Sequence, residues 1–302
     1  MGILREKNGR LPGVIQPRSL HEAWELKRSF GDSGIYVSGG TLLRTQWESG
    51  TAHMPMQLID LRKITGLTDI SLTDCHLSLG ALVPLSKCRN DGHLKVVAPA
   101  LQEAVRCIAA LSVRNLATLG GNIASGFGDM LPALLVYDAD LVIFDGKFMT
   151  ALPLVEWLNH HWSGIKPVED LIAEIRISPA RLENQVPNRL EIFRKVGRRE
   201  AFTPSLVTVA ISAMIDTEHR FREVRIAAGG GSGRPQRLHE AEAMLEDAVF
   251  SNSLLASLYE VVESSFETYS DPFATEMYKK KTAGNLLVSE LWKAMNMRIQ
   301  NV

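Results

Sequence analysis

The chain is predicted to be an α+β protein of two domains. Three observations predict it. The last third runs strands first and helices after, with strand patterns at 190–196, 206–215 and 221–228 and helical patterns at 239–248, 254–266 and 274–298. A charged, polar segment at 181–189 sets that part off from the residues before it. Upstream stand two hydroxyl and glycine-pair motifs far apart, Ser38-Gly39-Gly40-Thr41 and Thr118-Leu119-Gly120-Gly121. At 302 residues and 45% hydrophobic content the chain is long enough to bury two cores.

Residues 1–18 carry Pro12, Gly13 and Pro17 and read as extended. Ser19 followed by Glu22 is a capping-box pair and predicts a helix over 20–30. A β-branched and aromatic strand at 35–38 runs into Gly39-Gly40-Thr41 and a short helix over 42–47. Strand, glycine pair, hydroxyl, helix is a way to aim backbone N–H groups at a phosphate. A tight turn uses the same residues. Further strands are expected at 58–61, 68–72 and 75–80, and helices at 82–88 and 98–110.

The stretch 114–145 organises the chain. Gly120-Gly121 lets another molecule approach the backbone, and Thr118, Ser125 and Asn122 supply hydroxyls and an amide. Asp129 can accept bonds from sugar-type hydroxyls, and it also suits the N-cap of a helix over 132–137. A glycine-rich turn that only lets chain segments pack fits the composition too. A hairpin over 140–149 turning at Asp145-Gly146, a helical turn over 152–158 and a strand over 171–177 come next. The C-terminal strands are expected to form a three-stranded antiparallel meander with helices on one face.

Several function classes are excluded. The formal net charge of −1 offers no basic face for nucleic acid. There is no signal-peptide core and no apolar run of membrane length, so a cytoplasmic location is expected. Cys75, Cys88 and Cys107 contain no Cys-x-x-Cys, so neither an iron–sulfur cluster nor structural zinc is expected in this chain. His160-His161 reads as a surface loop, and no metal site is expected. Neither a Gly-x-Gly-x-x-Gly helix start nor a Walker lysine loop is present. Gly229-Gly230-Gly231-Ser232-Gly233 reads as a loop with positive-φ positions, and Lys279-Lys280-Lys281 as a solvated helix face. The basic run 193–199 fits either a cation beside an electron-rich ring or an exposed strand edge protected by charge.

Taken together, these residues resemble the flavin-binding medium subunit of the molybdenum hydroxylases, the xanthine dehydrogenase and carbon monoxide dehydrogenase family. The resemblance runs over nearly the whole chain. It is carried by Ser38-Gly39-Gly40-Thr41-Leu42-Leu43, by 113–122 with Arg114-Asn115 and Gly120-Gly121-Asn122, and by Asp129 ahead of Pro132. Leu171 to Ile175, Lys195 to Arg199 and Arg225 to Gly230 carry it further. It implies a two-lobed FAD domain of the PCMH or vanillyl-alcohol-oxidase type over 1–180, with lobes at about 1–60 and 61–180. A C-terminal domain over 188–302 would follow.

The resemblance also implies noncovalent FAD, with no catalytic residue in this chain. Tyr36, Val37, Ser38, Gly39, Gly40, Thr41, Leu42 and Leu43 would line the first diphosphate loop. Thr118, Gly120, Gly121 and Asn122 would serve the second, and Asp129 the ribose or ribityl region. Ile108 and Ile172 would lie near the rings, and Lys195 near the isoalloxazine edge, with Arg194 as the rival for that place. Two departures touch these loops. Leu42 stands where the family has Asp, and the segment between Asn122 and Asp129 is about two residues short and lacks the common Ser-Pro. Molybdopterin and 2Fe-2S centres would belong to a large and a small partner subunit. Electrons would pass from iron–sulfur centres through FAD to NAD+ or another acceptor. The alternatives are a self-contained flavin reductase of the same FAD fold and a flavin-free scaffold subunit.

Overall fold

The computed structural model describes residues 12–165, 170–178, 189–198, 204–231 and 233–300, the side chains of 299 and 300 excepted. Residues 1–11, Pro179, most of the charged segment 181–189, Arg199 and Ser232 lie outside the described residues.

A first lobe holds β1 (Gly13–Ile15), α1 (Leu20–Phe30), β2 (Gly34–Val37), α2 (Thr41–Ser49) and β3 (Gln57–Asp60). Its sheet is parallel, in the order β1-β3-β2. The Ser19 side chain accepts from the Glu22 N–H at 3.1 Å, and the Glu22 carboxylate reaches back to the Arg18 N–H at 2.7 Å. The first bond is the one the Ser19/Glu22 pair predicts, while the second goes to Arg18, one residue ahead of the N-cap Ser19.

A second lobe follows with β4 (Ile70–Leu72), β5 (Leu77–Gly80), α3 (Leu85–Asn90), α4 (Gly92–Val97), α5 (Pro99–Arg106), α6 (Leu111–Arg114), α7 (Leu119–Ala124) and α8 (Leu131–Val136). It is completed by β6 (Asp140–Phe144), β7 (Met149–Pro153), α9 (Leu154–Ser163) and β8 (Leu171–Ile177). These strands form an antiparallel sheet in the order β4-β5-β8-β6-β7.

Several expected elements shift, each for a local reason. The helix expected from 82 begins at Leu85, because Pro84 stays extended at its N-cap. The helix expected over 98–110 ends at Arg106, and the chain turns through Ala109 at φ +43°. The 140–149 hairpin turns over four residues. Asp145 Oδ1 accepts from the N–H groups of Lys147 and Phe148, so the second strand starts only at Met149. His160 and His161 sit in α9 and not in a loop.

Strand β8 carries the join between the lobes. Its pairing with β6 slips between Val142 and Ile143, which leaves Ala173 as the extra residue of a bulge. The bulge changes which face the alternation serves. Leu171 and Ala173 pack with Ile59, Leu61 and Leu82 under the first lobe. Ile172, Ile175 and Ile177 join the core of the second lobe.

The C-terminal domain comprises β9 (Arg189–Gly197), β10 (Ser205–Ile215), β11 (Phe221–Gly230), β12 (Gly233–Arg237), α10 (His239–Leu245), α11 (Asn252–Ser265) and α12 (Glu276–Gln300). Its antiparallel sheet, in the order β12-β11-β10-β9, has four strands and not the three expected. Helices α10–α12 cover one face, over a core that includes Val209, Ile211, Ile226 and Leu287. On the other face Phe193, Ala210 and Ala227 join the second lobe's core, which includes α5 and α8. Strand β10 is therefore buried on both faces. Tyr137, just after α8, donates to Glu191 at 2.7 Å and accepts from the Ala100 N–H. Burial, and then Glu191, push its hydroxyl well above the ordinary tyrosine range. Among the described residues no helix is long and apolar enough to cross a membrane.

Candidate functional site

The two glycine-pair loops, about eighty residues apart in the chain, meet. Ser38 Oγ and Thr118 Oγ1 lie 2.8 Å apart. Gly39 makes the meeting possible, because a Cβ there would sit 1.9 Å from the Leu116 carbonyl oxygen. Gly120 does the same against Ala81, just after β5, where a Cβ would lie 2.8 Å from the Ala81 Cβ and 2.9 Å from its carbonyl oxygen. Both glycines are consumed in bringing backbone to backbone.

The remaining two shape the notch itself. Gly40 takes φ +63° and caps α2, and Arg44 is the first residue whose N–H bonds back, to the Gly40 carbonyl. The first three N–H groups of α2, from Thr41 to Leu43, thus have no partner within the helix. Gly121 is exposed, and a Cβ there would meet only Thr118 Oγ1 at 3.0 Å and Ser38 Oγ at 3.6 Å. A diphosphate suits such a notch, with helix-start donors on one wall and two hydroxyls beside it.

The second loop offers fewer free donors than its sequence suggests. The N–H groups of Leu119 and Gly120 donate to the carbonyls of Val83 and Ala81, and that of Asn122 to the Thr118 carbonyl. The Gly121 N–H reaches Thr118 Oγ1 at 3.2 Å. Asn122 faces the following turn, accepting from the Met130 N–H at 3.4 Å. Gly128 has to be glycine here, since a Cβ would lie 2.0 Å from Asn122 Oδ1.

Asp129 does not cap α8; Met130 holds that place without a side-chain bond. Its carboxylate is drawn instead toward the C-terminal domain. Lys195 Nζ donates to Oδ2 at 2.6 Å, and Ser205 Oγ donates to Oδ1 at 2.5 Å. Lys195 also donates to the Cys107 carbonyl at 3.2 Å. The adjacent cation goes elsewhere: Arg194 pairs with Glu290 on α12 at 2.6 Å. The structure therefore brings Lys195, not Arg194, to the Asp129 side.

Ile108 is buried between Cys107 and the Ala109 turn. Buried Arg114 fixes that turn by donating to the carbonyls of Ile108 and Ala109. Burial lowers the pKa of Arg114. Ile172 lies beside the Ala173 bulge, whose carbonyl accepts from the Ala81 N–H below Gly120. Tyr36 and Val37 lead into the first loop, with Tyr36 packed against the inter-lobe core and Val37 Cγ1 near Gly40. Leu42 and Leu43 lie in the first turn of α2, and Leu42 is exposed. Burial, then Glu103, raises the Cys107 thiol, and burial pushes Cys88 up to about 12, so neither thiol is activated. Among the described residues no group of acidic, histidine or cysteine side chains could hold a metal ion. Ser205 was missed from the sequence; nothing at the start of a strand marks a hydroxyl as reaching back 76 residues.

The match to known proteins agrees with this geometry. Residues 8–180, which contain both loops and Asp129, match the family described as FAD binding domain in molybdopterin dehydrogenase. Residues 191–294, which contain Lys195 and Ser205, match the CO dehydrogenase flavoprotein C-terminal domain. The chain is 28% identical over 280 residues to the protein YgfM of Escherichia coli K12, covering 92% of this chain and 94% of that one. It is 25% identical over 282 residues to the 6-hydroxypseudooxynicotine dehydrogenase complex subunit alpha of Paenarthrobacter nicotinovorans, covering 92% of each. A chain of the carbon monoxide dehydrogenase of Hydrogenophaga pseudoflava has the same fold, with a TM-score of 0.84 at 21% identity, covering 93% of this chain and 96% of that one. With the first match covering more than half of its length, the chain belongs to the family described as FAD binding domain in molybdopterin dehydrogenase.

Proposed function

We propose that this chain is the FAD-carrying electron-transfer subunit of a multisubunit molybdenum hydroxylase. The observation that carries the proposal is the 2.8 Å approach of Ser38 and Thr118, which joins the two glycine loops into one notch. The proposed FAD domain spans 1–180, in lobes of about 1–60 and 61–180, and the C-terminal domain spans 188–302.

The residues present fit the cofactor. The N–H groups from Thr41 to Leu43 and the hydroxyls of Ser38 and Thr118 would hold the diphosphate, with Gly40 and Gly121 leaving room for it. Asp129 would accept a bond from a ribose or ribityl hydroxyl; an ionised carboxylate has about four acceptor positions, so the bonds from Lys195 and Ser205 leave capacity. Ile108 and Ile172 would border the rings, and Lys195 would place a donor at that end of the site. Bound FAD would supply the redox chemistry, taking electrons from iron–sulfur centres of a small partner and passing them to NAD+ or another acceptor. A large partner would hold the molybdopterin and oxidise the substrate. Support comes from relatives named as a 6-hydroxypseudooxynicotine dehydrogenase complex subunit alpha and a nicotinate dehydrogenase FAD-subunit.

Neither loop contains His or Cys, so the flavin should be held noncovalently. Acid precipitation should release a yellow supernatant whose flavin is FAD; colour that stays in the pellet, or FMN in the supernatant, contradicts this. The subunit reading is tested by expressing the chain alone and with its candidate partners. Hypoxanthine, xanthine, aldehydes, nicotinate and carbon monoxide are then assayed with NAD+ and artificial acceptors. Turnover is expected only in the assembled complex. An isolated chain that turns over any of these substrates as fast as the complex would make it a self-contained flavoenzyme.

A further inference from the structure

Two sequence features remain without a role, the glycine run 229–233 and the lysine run 279–281. They meet behind Asp129. Ser205, 5% exposed at the first position of β10, donates to Asp129 Oδ1 at 2.5 Å. The same hydroxyl accepts from the Gly231 N–H at 3.4 Å. Accepting on one side orients the hydroxyl to donate on the other. Gly231 holds φ +59° in the turn between β11 and β12. Gly231 lies beside the ion pair of Lys279 and Asp271: a Cβ there would lie 3.2 Å from Lys279 Nζ and 3.3 Å from Asp271 Oδ2. Lys279 is fully buried and donates to Asp271 at 2.5 Å and to the Tyr269 carbonyl at 2.8 Å.

We propose that Ser205 is a positioning residue for FAD binding. Supported by the Gly231 turn beside the Lys279–Asp271 pair, it aims the Asp129 carboxylate at the cofactor across the domain boundary. The inference rests on the FAD reading above and deepens it. Asp129 sits in the glycine-rich segment before α8, where no side-chain cap fixes it. Its direction is set from the C-terminal domain, by Lys195 on one oxygen and Ser205 on the other. The C-terminal domain, which carries neither of the two proposed diphosphate loops, would thereby govern how tightly the flavin is held.

The test uses the full chain. Apoprotein is titrated with FAD and binding is followed by quenching of flavin fluorescence, for wild type, Ser205→Ala, Ser205→Thr, Asp129→Ala and the Ser205→Ala/Asp129→Ala double variant. Ser205→Ala is expected to weaken FAD about tenfold, the scale of one hydrogen bond to a charged acceptor. Ser205→Thr should restore most of that loss. In the Asp129→Ala background Ser205→Ala should add less than about twofold, because its effect runs through the carboxylate. Gly231→Ala, which strains the turn, should weaken FAD in the same direction. Binding by Ser205→Ala within twofold of wild type, or a loss that adds in full to that of Asp129→Ala, overturns the proposal. A second readout separates it from the FAD reading. Melting of the four apoproteins of the cycle should show the Ser205–Asp129 coupling without flavin. Coupling in the melts with no FAD binding by wild type would overturn the FAD reading and, with it, the cofactor role of Ser205. Additive melts together with tight FAD binding would overturn the positioning role alone.

Discussion

Gly39→Ala is expected to strip the protein of FAD. The added Cβ would lie 1.9 Å from the Leu116 carbonyl oxygen and 2.5 Å from its carbonyl carbon. Both are backbone atoms, so no side chain can swing aside to relieve the clash. The loops must part, and the Ser38–Thr118 approach of 2.8 Å is lost with them. The start of α2, with its three outward N–H groups, then moves away from Thr118 and Gly121. A diphosphate that needs both walls loses one of them. The flavin-to-protein absorbance ratio after purification should fall to below about a tenth of wild type, more than 1.4 kcal/mol of binding. Far-UV circular dichroism should stay close to wild type, because Gly39 lies on the loop surface and not in a core. Gly92→Ala is the control. Its Cβ would meet nothing within 4 Å, and the residue opens α4, away from the loops, so FAD content should be unchanged. Full flavin content in Gly39→Ala would show that the loop contact is not part of the binding site.

Much of this was legible in the sequence where local chemistry decides the outcome. The capping pair at Ser19 and Glu22 marked the start of helix α1 and Gly31 its end, and the strand read over 171–177, ahead of Pro179 in the sequence, matches β8 residue for residue. Both glycine motifs stood out in the sequence as candidate ligand loops, and the structure brings them together. Which glycine does what was not, because Gly39 and Gly120 are required by partners at Leu116 and Ala81 that no spacing rule connects. Strand β12 escaped because Gly233, Arg234, Pro235, Gln236 and Arg237 show no alternation, and proline argues against a strand except at an edge. It is indeed the edge strand. Asp129 looked like a helix cap because its neighbours in sequence, Pro132 and an apolar helix, are the only partners that spacing reveals. Lys195 and Ser205, 66 and 76 residues further on, compete for the same carboxylate and win it. The lysine run misled by composition. Lys279 sits four residues before Ala283, in step with Leu287 and Leu291, all of them buried, and that spacing marks it as inward-facing.

Removing the carboxylate that answers Lys279 is expected to destabilise the C-terminal domain strongly. Lys279 is 0% exposed, and its ammonium donates to Asp271 Oδ2 and to the Tyr269 carbonyl. In Asp271→Asn a full positive charge stays in the interior facing neutral acceptors. Breaking a buried pair from one side costs about 3–5 kcal/mol, because the remaining charge keeps its desolvation penalty. The melting temperature should drop by on the order of 10 °C. The pH dependence has a definite sign. Burial opposes ionisation of Asp271, but the bond from Lys279 and the N–H groups of Phe273 and Ala274 outweigh it and hold the carboxyl below its usual range. A carboxyl whose folded pKa is depressed contributes stability above its unfolded value, about 3.9, and loses it as pH falls through the folded value. The gap in melting temperature between wild type and Asp271→Asn should therefore be full at neutral pH and narrow in acid. Adding Lys279→Met to Asp271→Asn removes the stranded charge and replaces it with an apolar chain of similar length. The double variant should melt well above the single one, since well-packed apolar replacements of buried pairs are neutral or stabilising. If the double variant melts no higher than Asp271→Asn, the cost lies in the bonds from Asp271 to the Phe273 and Ala274 N–H groups, and the buried charge is not what the carboxylate is there to answer.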